Sequence, residues 1–483
     1  MQPLLGLPRA IGVAALAGIV MSLAFAPVAF GAYAVVGVAL LTVAVWGGSV
    51  RRGAGLGLLA GVLFFGLLLG WMRVIGWDAW LLLTVFWALW FALVGLGTAL
   101  VTRLPAAPIW VASLWVLQEA LRARIPFGGF PWGDLAFAQP DTPFARLAPL
   151  GGSPLVTFGV AFVGAAIVTL VLDHRAGRQR LAVAWFAAAA AITLVPLALP
   201  LPVSGDTDGG APTAVVAIVQ GGTPQVGMGA MDVRRAVLDN HVAQTLDLAR
   251  AVAEGRAEQP AFVLWPEHAS VLDPFTDASA AAAITAAARA VDAPILVGAV
   301  ISVPDDPQGV WNVSIVWDPD TGPTQMYIKT HPVPFGEYIP FRDFLAQHIA
   351  RFDRIPRDFR AGTEPGNLSI GGISIGNVIC FEIAYGDVVS AVIDGGARLL
   401  TVQTNNATYG GTPQPEQQLA ISRLRAIEFG RTVTVAATSG ISAIIDPSGT
   451  VHDRIDESEV GWRVAEVALR GGNTPAVTIG RAV

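Results

Sequence analysis

Charge, sulfur and lysine are all scarce in this chain, and each scarcity closes off a class of function. Only 14% of its 483 residues are charged, and the net charge of -6 comes with no basic stripe. A nucleic-acid binder needs such a stripe, so no nucleic-acid partner is expected. The single cysteine, Cys380, leaves no intramolecular disulfide and no all-cysteine metal site. The six histidines show no HExxH or comparable spacing; His268 adjoins Glu267, and His331 follows Lys329 by two positions. Neither a metal nor any other cofactor is expected. Lys329 is the only lysine, every other strong base being arginine. A chain so biased toward guanidinium that keeps one ammonium needs a compact point charge at that position.

Apolar residues are plentiful, at 53% of the chain, and their excess lies in the first two hundred positions. Seven stretches read as membrane spans, near 8–26, 29–48, 54–72, 79–101, 107–122, 154–172 and 181–201, a crossing taking about 20 helical residues. The first has no clean cleavage site and further spans follow at once, so it is not read as a signal peptide. Glycines such as those in Gly53-Ala54-Gly55-Leu56-Gly57 suit close helix packing in lipid. Arg51 and Arg52, then Arg103, then Arg175, Arg178 and Arg180 fall in loops on one side, which should be the cytoplasm. Arg73, Arg122, Arg124 and Arg146 on the other side weaken this bias slightly. The remainder of the chain is then delivered to the outer face.

The outer loop from Arg122 to Ser153 carries Pro126-Phe127-Gly128-Gly129-Phe130-Pro131-Trp132-Gly133. Phe130 and Trp132 suit either an ordinary aromatic belt at the membrane boundary or a cradle for a lipid substrate. Glu119, near a span's end, either pairs with Arg122, reaches for water, or serves that cradle.

Residues 1–203 thus read as a transmembrane helical domain and 204–212 as a Gly-rich polar linker. Residues 213–470 read as an extracytoplasmic α/β domain, and 471–483 as a terminal segment. In the α/β domain, strands fit Ala214–Gln220, Ala261–Trp265, Pro294–Val300, Trp311–Trp317, Gln325–Ile328, Ile373–Cys380, Leu399–Gln403 and Thr432–Ala437. Helices fit Val233–Glu254, Ala278–Val291 and Pro415–Thr432, and Ala384–Asp387 reads as a turn.

Three of those strands end in a reactive side chain. Phe262-Val263-Leu264-Trp265-Pro266-Glu267 ends in a carboxylate, Met326-Tyr327-Ile328-Lys329 in an ammonium, and Ile373 to Cys380 in a thiol. Taken singly, Cys380 suits a small buried hydrophobe, Glu267 a surface carboxylate or helix cap, and Lys329 an ordinary salt bridge. Taken together they make a nucleophile, a base and an electrophilic stabiliser at one rim of an α/β scaffold. Glu337 and Glu382 suit supporting carboxylates that hold the lysine charged, or plain ion-pair partners. Asn405 and Tyr409, in Asn405-Asn406-Ala407-Thr408-Tyr409-Gly410, suit a pocket wall, as does His331, though Asn-rich turns are common without function.

Glu267 in Trp-Pro-Glu, Lys329 in Tyr-Ile-Lys-Thr-His before Pro334-Phe335-Gly336-Glu337-Tyr338, and Cys380 in Cys-Phe-Glu-Ile resemble the Glu-Lys-Cys triad of the nitrilase (carbon–nitrogen hydrolase) superfamily. Joined to a multi-span half with Trp115, Glu119, Arg122 and the Gly-Phe-Pro-Trp-Gly stretch, they resemble the membrane-anchored N-acyltransferase family within it. The resemblance implies a four-layer α-β-β-α sandwich beside a multi-span helical membrane domain, in the bacterial cytoplasmic membrane. It also implies an acyl chain passing from a phospholipid, through a Cys380 thioester, to the α-amine of a diacylated apolipoprotein. The backbone N–H of Phe381 would serve the oxyanion, and loops at Gly221–Met231 and Pro340–Pro365 would gate the site. The sequence departs from the family at Val226–Met231, where a tryptophan is usual, and at Thr408, which replaces another. The family also continues into an eighth span after a segment like Gly472-Asn473-Thr474-Pro475. Two other functions stay open on the residues alone: a membrane-tethered amidase that uses water, and a lipid-binding or transport protein with an inert outer domain.

Overall fold

The structure is a computed structural model that describes residues 2–198, 212–224, 234–345, 347–349, 352 and 355–480. The expected linker at 204–211, the Val226–Met231 departure and parts of both expected gating loops lie outside the described residues. Two compact units emerge: Met1–Leu201 with Thr474–Val483, and Pro202–Asn473.

The first unit is helical: α1 (Leu7–Ser22), α2 (Ala32–Val45), α3 (Val50–Leu68), α4 (Trp77–Val101), α5 (Ala107–Arg122), α6 (Ala148–Arg175) and α7 (Gln179–Leu194), with a short helix at Pro475–Gly480 packed on α6. Seven helices stand where seven spans were expected, but the lengths differ. Among the described residues four segments are long and apolar enough to cross a membrane: Val50–Leu68, Trp77–Val101, Pro143–Arg175 and Gln179–Ala198. α1 and α2 fall short of that length at 16 and 14 residues, because turns containing Pro27 and Gly47-Gly48 stop them early. Large apolar side chains such as Leu82, Phe86, Leu93, Val183 and Phe186 are exposed on α4 and α7. Such a surface is costly in water and suits lipid.

α3 and α4 touch backbone to backbone. A Cβ on Gly57 would lie 2.1 Å from the Phe91 carbonyl oxygen, and one on Gly95 2.2 Å from that of Gly53. Small residues at that spacing are what lets two helices approach this closely.

The loop after α5 is held by its last turn. The buried Arg122 guanidinium donates to the carbonyls of Phe130 and Trp132 at 2.6 and 2.7 Å, and to Asp134 Oδ1 at 2.5 Å. None of these three hydrogen bonds goes to Glu119. Its carboxylate accepts from the Leu135 N–H at 2.9 Å and from the Thr157 hydroxyl at 2.6 Å. Trp132 is 2% exposed and packs edge-to-face on Trp71, which corrects its expected lipid contact to that of a buried anchor. Phe130 stacks on Trp87 at 5.3 Å and keeps partial exposure.

The second unit has two sheets. The first is built from β1 (Thr213–Gln220), β2 (Phe262–Leu264), β3 (Ile295–Val303), β4 (Asp306–Asp318), β5 (Gly322–Ile328) and the short β6 (Asp358–Phe359). The second is built from β7 (Asn367–Ile370), β8 (Ile373–Ile379), β9 (Leu399–Thr404), β10 (Val433–Ala437), β11 (Ser442–Ile445) and β12 (Val451–Ile455). β13 (Gly461–Ala468) returns to pair antiparallel with β1, and β1–β2–β3 and β8–β9–β10 run parallel.

Helices α8 (Arg234–Ala253) and α9 (Ala278–Val291) cover the outer face of the first sheet through Leu238, Leu248, Ile284 and Val291. A one-turn helix, α10 (Arg342–Leu345), follows; α11 (Gly386–Asp394) and α12 (Gln414–Phe429) pack against β8 and β10 of the second sheet. Ile218, Leu264 and Leu296 meet Ile375, Leu399 and Ile444 between the sheets. The result is the four-layer α-β-β-α sandwich of nitrilase type. Ala384–Asp387, expected as a plain turn, instead ends a 3-10 turn and opens α11, because Val388, Val389, Val392 and Ile393 give that segment a helical apolar face.

A polar seam crosses the apolar interface between the sheets. Gln403 donates to the Trp265 and Leu296 carbonyls at 2.6 and 3.2 Å, Asn377 to Ser314 at 2.6 Å, and Thr401 to Asn377 at 2.7 Å; Ser314 closes onto Gln403. Buried polar groups satisfied in this way fix one register between the sheets.

Arg122→Met would take away the buried guanidinium that Asp134 and two carbonyls share. Removal of one partner from a buried ion pair costs about 3–5 kcal/mol, so a clear fall in melting temperature in detergent is expected. An unchanged transition would show that the loop after α5 is held by other contacts.

Candidate active site

Four strand ends from the two sheets meet at one rim of the second unit. Glu267 lies beyond β2, Lys329 ends β5, Cys380 ends β8, and Thr404 with Asn405 ends β9. The backbone is bent to aim two of them. Cys380 has φ +56 and opens a 3-10 turn, Cys380–Ala384, while His268, directly after Glu267, has φ +57. Residues other than glycine rarely adopt this conformation, which stores strain of about 1–3 kcal/mol each. The Trp-Pro-Glu segment passes so close to β3 that a Cβ on Gly298 would lie 2.2 Å from the Pro266 carbonyl oxygen.

Lys329 is 1% exposed, and its ammonium sits 2.9 Å from Glu337 Oε1 and 3.4 Å from Glu267 Oε1. Asn312 on β4 ties the two carboxylates together, donating from Nδ2 to Glu267 Oε1 at 2.7 Å and to Glu337 Oε1 at 2.9 Å. The Asn405 N–H reaches Glu267 Oε2 at 2.9 Å, and the Val333 N–H reaches Glu337 Oε2 at 2.6 Å. Lys329 is also fixed through its backbone, its N–H donating to Asn312 and its carbonyl accepting from Gly362 at 2.8 Å.

Charges follow from this arrangement. Burial alone would push the Lys329 amine down, but Glu337 and then Glu267 hold it well above the usual lysine value, so it stays an ammonium. Burial pushes the Glu267 carboxyl up. Lys329 and hydrogen bonds from Asn312 and the Cys380 thiol outweigh that, and Glu267 ends below the usual carboxylate range. Burial and then the neighbouring Glu267 charge push the Cys380 thiol up to about 12, against the opposing pull of Lys329 and a hydrogen bond from the Thr404 hydroxyl. That hydroxyl is 3.4 Å from Sγ, and the residue as a whole keeps partial access to solvent. The site at rest is therefore a neutral thiol, a carboxylate and an ammonium.

The other expected residues take distinct places. Glu382, fully buried, does not touch the ammonium; it accepts from the N–H groups of Thr330, His331 and Ile379 at 2.8 to 3.0 Å and from the Tyr327 hydroxyl at 2.9 Å. One carboxylate thus joins the Lys329 and Cys380 strand ends. Phe381 follows the nucleophile in the 3-10 turn, its ring edge-on to Tyr385 at 5.4 Å. His331 packs on Tyr385 at 5.0 Å. Burial, and then the neighbouring Cys380 and Glu337, push the Tyr409 hydroxyl up, so it stays protonated. Phe130 and Trp132 belong to the other unit.

Sequence reasoning missed Asn312, Thr404 and Gln418. Asn312 is a lone amide in the apolar run Val310-Trp311-Asn312-Val313 of a buried strand, and that misfit was its signal. Gln418 on α12 donates to the Cys380 carbonyl at 3.2 Å, from a face that shows no such purpose in the sequence. Glu267, His268 and Glu337 offer ligand atoms within 4.8 Å of one another, a spacing that would suit a metal ion. Lys329 already supplies the cation between the two carboxylates, and burial pushes His268 below the usual histidine value, leaving it a neutral ring.

Two family profiles cover most of the chain: the apolipoprotein N-acyltransferase N-terminal domain matches residues 17–166, and carbon-nitrogen hydrolase matches residues 215–472. An apolipoprotein N-acyltransferase of Mycolicibacterium smegmatis is 39% identical over 481 residues, covering 96% of this chain and 80% of that one. One of Vibrio cholerae is 28% identical over 375 residues, covering 75% and 69%. Among solved structures, an amidase from Nesterenkonia sp. aligns at 17% identity over 56% of this chain and 94% of its own, with a TM-score of 0.38. With its helical unit matched by the first profile and its sandwich by the second, this membrane protein belongs to the apolipoprotein N-acyltransferase family of the carbon–nitrogen hydrolases.

Proposed function

We propose that this chain moves an acyl group from a membrane phospholipid, by way of a Cys380 thioester, to the α-amine of the diacylglyceryl-cysteine that begins an apolipoprotein. The observation that carries this reading is the buried Lys329 ammonium beside a thiol and a carboxylate in a chain that also holds long apolar helices. A small soluble amide would need no such helices; a lipid donor does.

Glu267 is the base. It takes the Cys380 proton as sulfur attacks the ester carbonyl carbon, and the C–S bond forms while the carbonyl oxygen gains negative charge. The Lys329 ammonium and the Phe381 N–H hold that oxyanion. Collapse breaks the C–O bond, Glu267 returns its proton to the leaving alcohol, and lysophospholipid departs. The lipoprotein amine then attacks the thioester, Glu267 takes an amine proton, the C–N bond forms and sulfur leaves with that proton. Glu337 and Asn312 keep the ammonium and the base in register across both halves.

Sidedness is part of the proposal: several spans through the bacterial cytoplasmic membrane, with the catalytic unit outside. Two contacts support it. Arg52 donates to the Leu5 carbonyl at 2.7 Å and Arg103 to the Gly48 carbonyl at 2.9 Å. The chain's beginning and two arginine-bearing loops are therefore at one end of the helical unit, as the positive-inside bias requires.

Incubation with labelled phospholipid should trap a thioester on the wild-type chain and none on Cys380→Ala, and a diacylated lipopeptide should discharge it as a triacylated product. A label released only as free fatty acid would refute the transfer step. Lys329→Arg should lower turnover by about a hundredfold or more, since a planar fork does not replace a point charge aimed at an oxyanion; near-normal turnover would remove Lys329 from that role. The wild-type minus Cys380→Ala ultraviolet difference should show no thiolate at neutral pH. A thiol raised to about 12 stays protonated below that value, so signal should grow only as strong alkali is approached. Thiolate absorbance at neutral pH would replace the general-base step with a preformed thiolate–ammonium pair.

A further inference from the structure

Beyond the end of β1, a cavity of about 200 Å³ opens among Gly221, Gly222, Thr223, Asn240, Ser439 and Ser458. It adjoins the catalytic group without belonging to it. The Gly222 N–H donates to the Thr438 carbonyl at 2.8 Å, and the Thr438 hydroxyl donates to the Glu267 carbonyl at 2.9 Å. The Thr438 N–H in turn donates to the Thr404 carbonyl at 3.1 Å, and Thr404 touches the sulfur. Ser439 is the next residue in the chain, so the cavity wall and the base are a single residue apart.

Two features mark the cavity as a place for a ligand. Thr223 Oγ1 and Ser439 Oγ are buried without hydrogen-bond partners, and Ser439 is 4% exposed. Native structures seldom leave such groups unpaired, so a ligand or water is expected to meet them. The cavity also depends on the absence of side chains. Gly222 has φ +74, and a Cβ there would lie 2.8 Å from Val460, a lining residue; one on Gly221 would lie 2.7 Å from the His241 N–H nitrogen.

The lining also restricts the chemistry of the ligand. Among the described residues, no lysine, arginine, aspartate or glutamate lines it to counter a phosphate or an ammonium headgroup. Hydroxyls, one side-chain amide and a glycine pair suit a neutral group that both donates and accepts hydrogen bonds. At this volume it takes a fragment rather than a whole lipid. We infer that the cavity is the subsite for the acceptor's polypeptide, receiving the first backbone amides after the acylated residue. This inference rests on the proposed acyl transfer and names where its second substrate is held.

The test uses the full chain in detergent, with a diacylated lipopeptide and a diacylglyceryl-cysteine amide that lacks the peptide. Ser439→Ala and Thr223→Val should each lower the kcat/KM advantage of the lipopeptide over the short acceptor by about tenfold, the worth of one hydrogen bond, and chiefly through KM. Ser439→Thr, which keeps the hydroxyl, should retain the advantage. An unchanged ratio, an equal fall for both acceptors, or loss in Ser439→Thr would overturn the subsite. Binding of the same lipopeptide to Cys380→Ala supplies a readout without turnover. Affinity should fall about tenfold when Ser439→Ala is added, and equal affinity would overturn the proposal. Lipopeptide binding that depends on Ser439, in a chain whose wild type forms no thioester, would sink the acyl-transfer reading and leave the subsite standing.

Discussion

A buried ammonium shared by two carboxylates is the constraint on which the rest of the catalytic unit depends. Lys329 contributes one positive charge and Glu267 with Glu337 two negative ones, all within 3.4 Å of the nitrogen and almost without solvent. Desolvation of three charges is expensive unless each is hydrogen-bonded and opposed. Asn312, the Asn405 N–H and the Val333 N–H provide what the ammonium cannot, so the group is stable only as a complete set. The same arrangement explains the division of labour. The lysine remains charged, the glutamate remains a base, and the thiol beside them remains protonated until a carbonyl carbon arrives.

Such a set requires strands from two sheets to end at the same level. Apolar packing between the sheets would tolerate sliding, whereas hydrogen bonds do not. Gln403, Ser314, Asn377 and Thr401 occupy the middle of that interface and leave one satisfied arrangement. Gln403 is particularly direct, since it grips the Trp265 carbonyl just ahead of Glu267 from the strand that ends beside Cys380. Position of the base and position of the nucleophile are thereby one degree of freedom rather than two.

The sequence was legible where chemistry is rare. One cysteine, one lysine and a carboxylate after Trp-Pro stood out at apolar strand ends, and the structure brings all three to one rim. The strands bearing them read well because both faces are buried and their composition is continuous. Strands that are half-exposed did not read: β12, Val-His-Asp-Arg-Ile, and β13, Gly-Trp-Arg-Val-Ala-Glu-Val-Ala, carry charged residues that break the apolar pattern, and β13 gains its place only by pairing with the distant β1. α11 hid because a turn signal, Tyr385-Gly386-Asp387, precedes its short apolar face. The first two spans were overread, since apolar residues continue through turns where the helix does not, whereas α4 and α6 run longer than expected. Glu119 looked like a hydrogen-bonding partner for Arg122 three residues on, but side-chain direction gave the Arg122 guanidinium to a loop carbonyl pair and Asp134 instead.

The chain leaves the site at Lys329 and comes back to it thirty-odd residues later, where the Gly362 N–H clasps the Lys329 carbonyl. A Cβ on Gly362 would fall 2.3 Å from the Ile328 carbonyl oxygen, so the clasp is tight. The excursion is therefore a closed ring hung from a fixed point. Lengthening a ring of that kind costs only about 0.6 kcal/mol for each doubling. Only the part of the ring between Glu337 and β6 is open to insertion, deletion and re-tailoring while the ammonium stays where it is, because Val333, Glu337 and the strand at Asp358–Phe359 are already tied down.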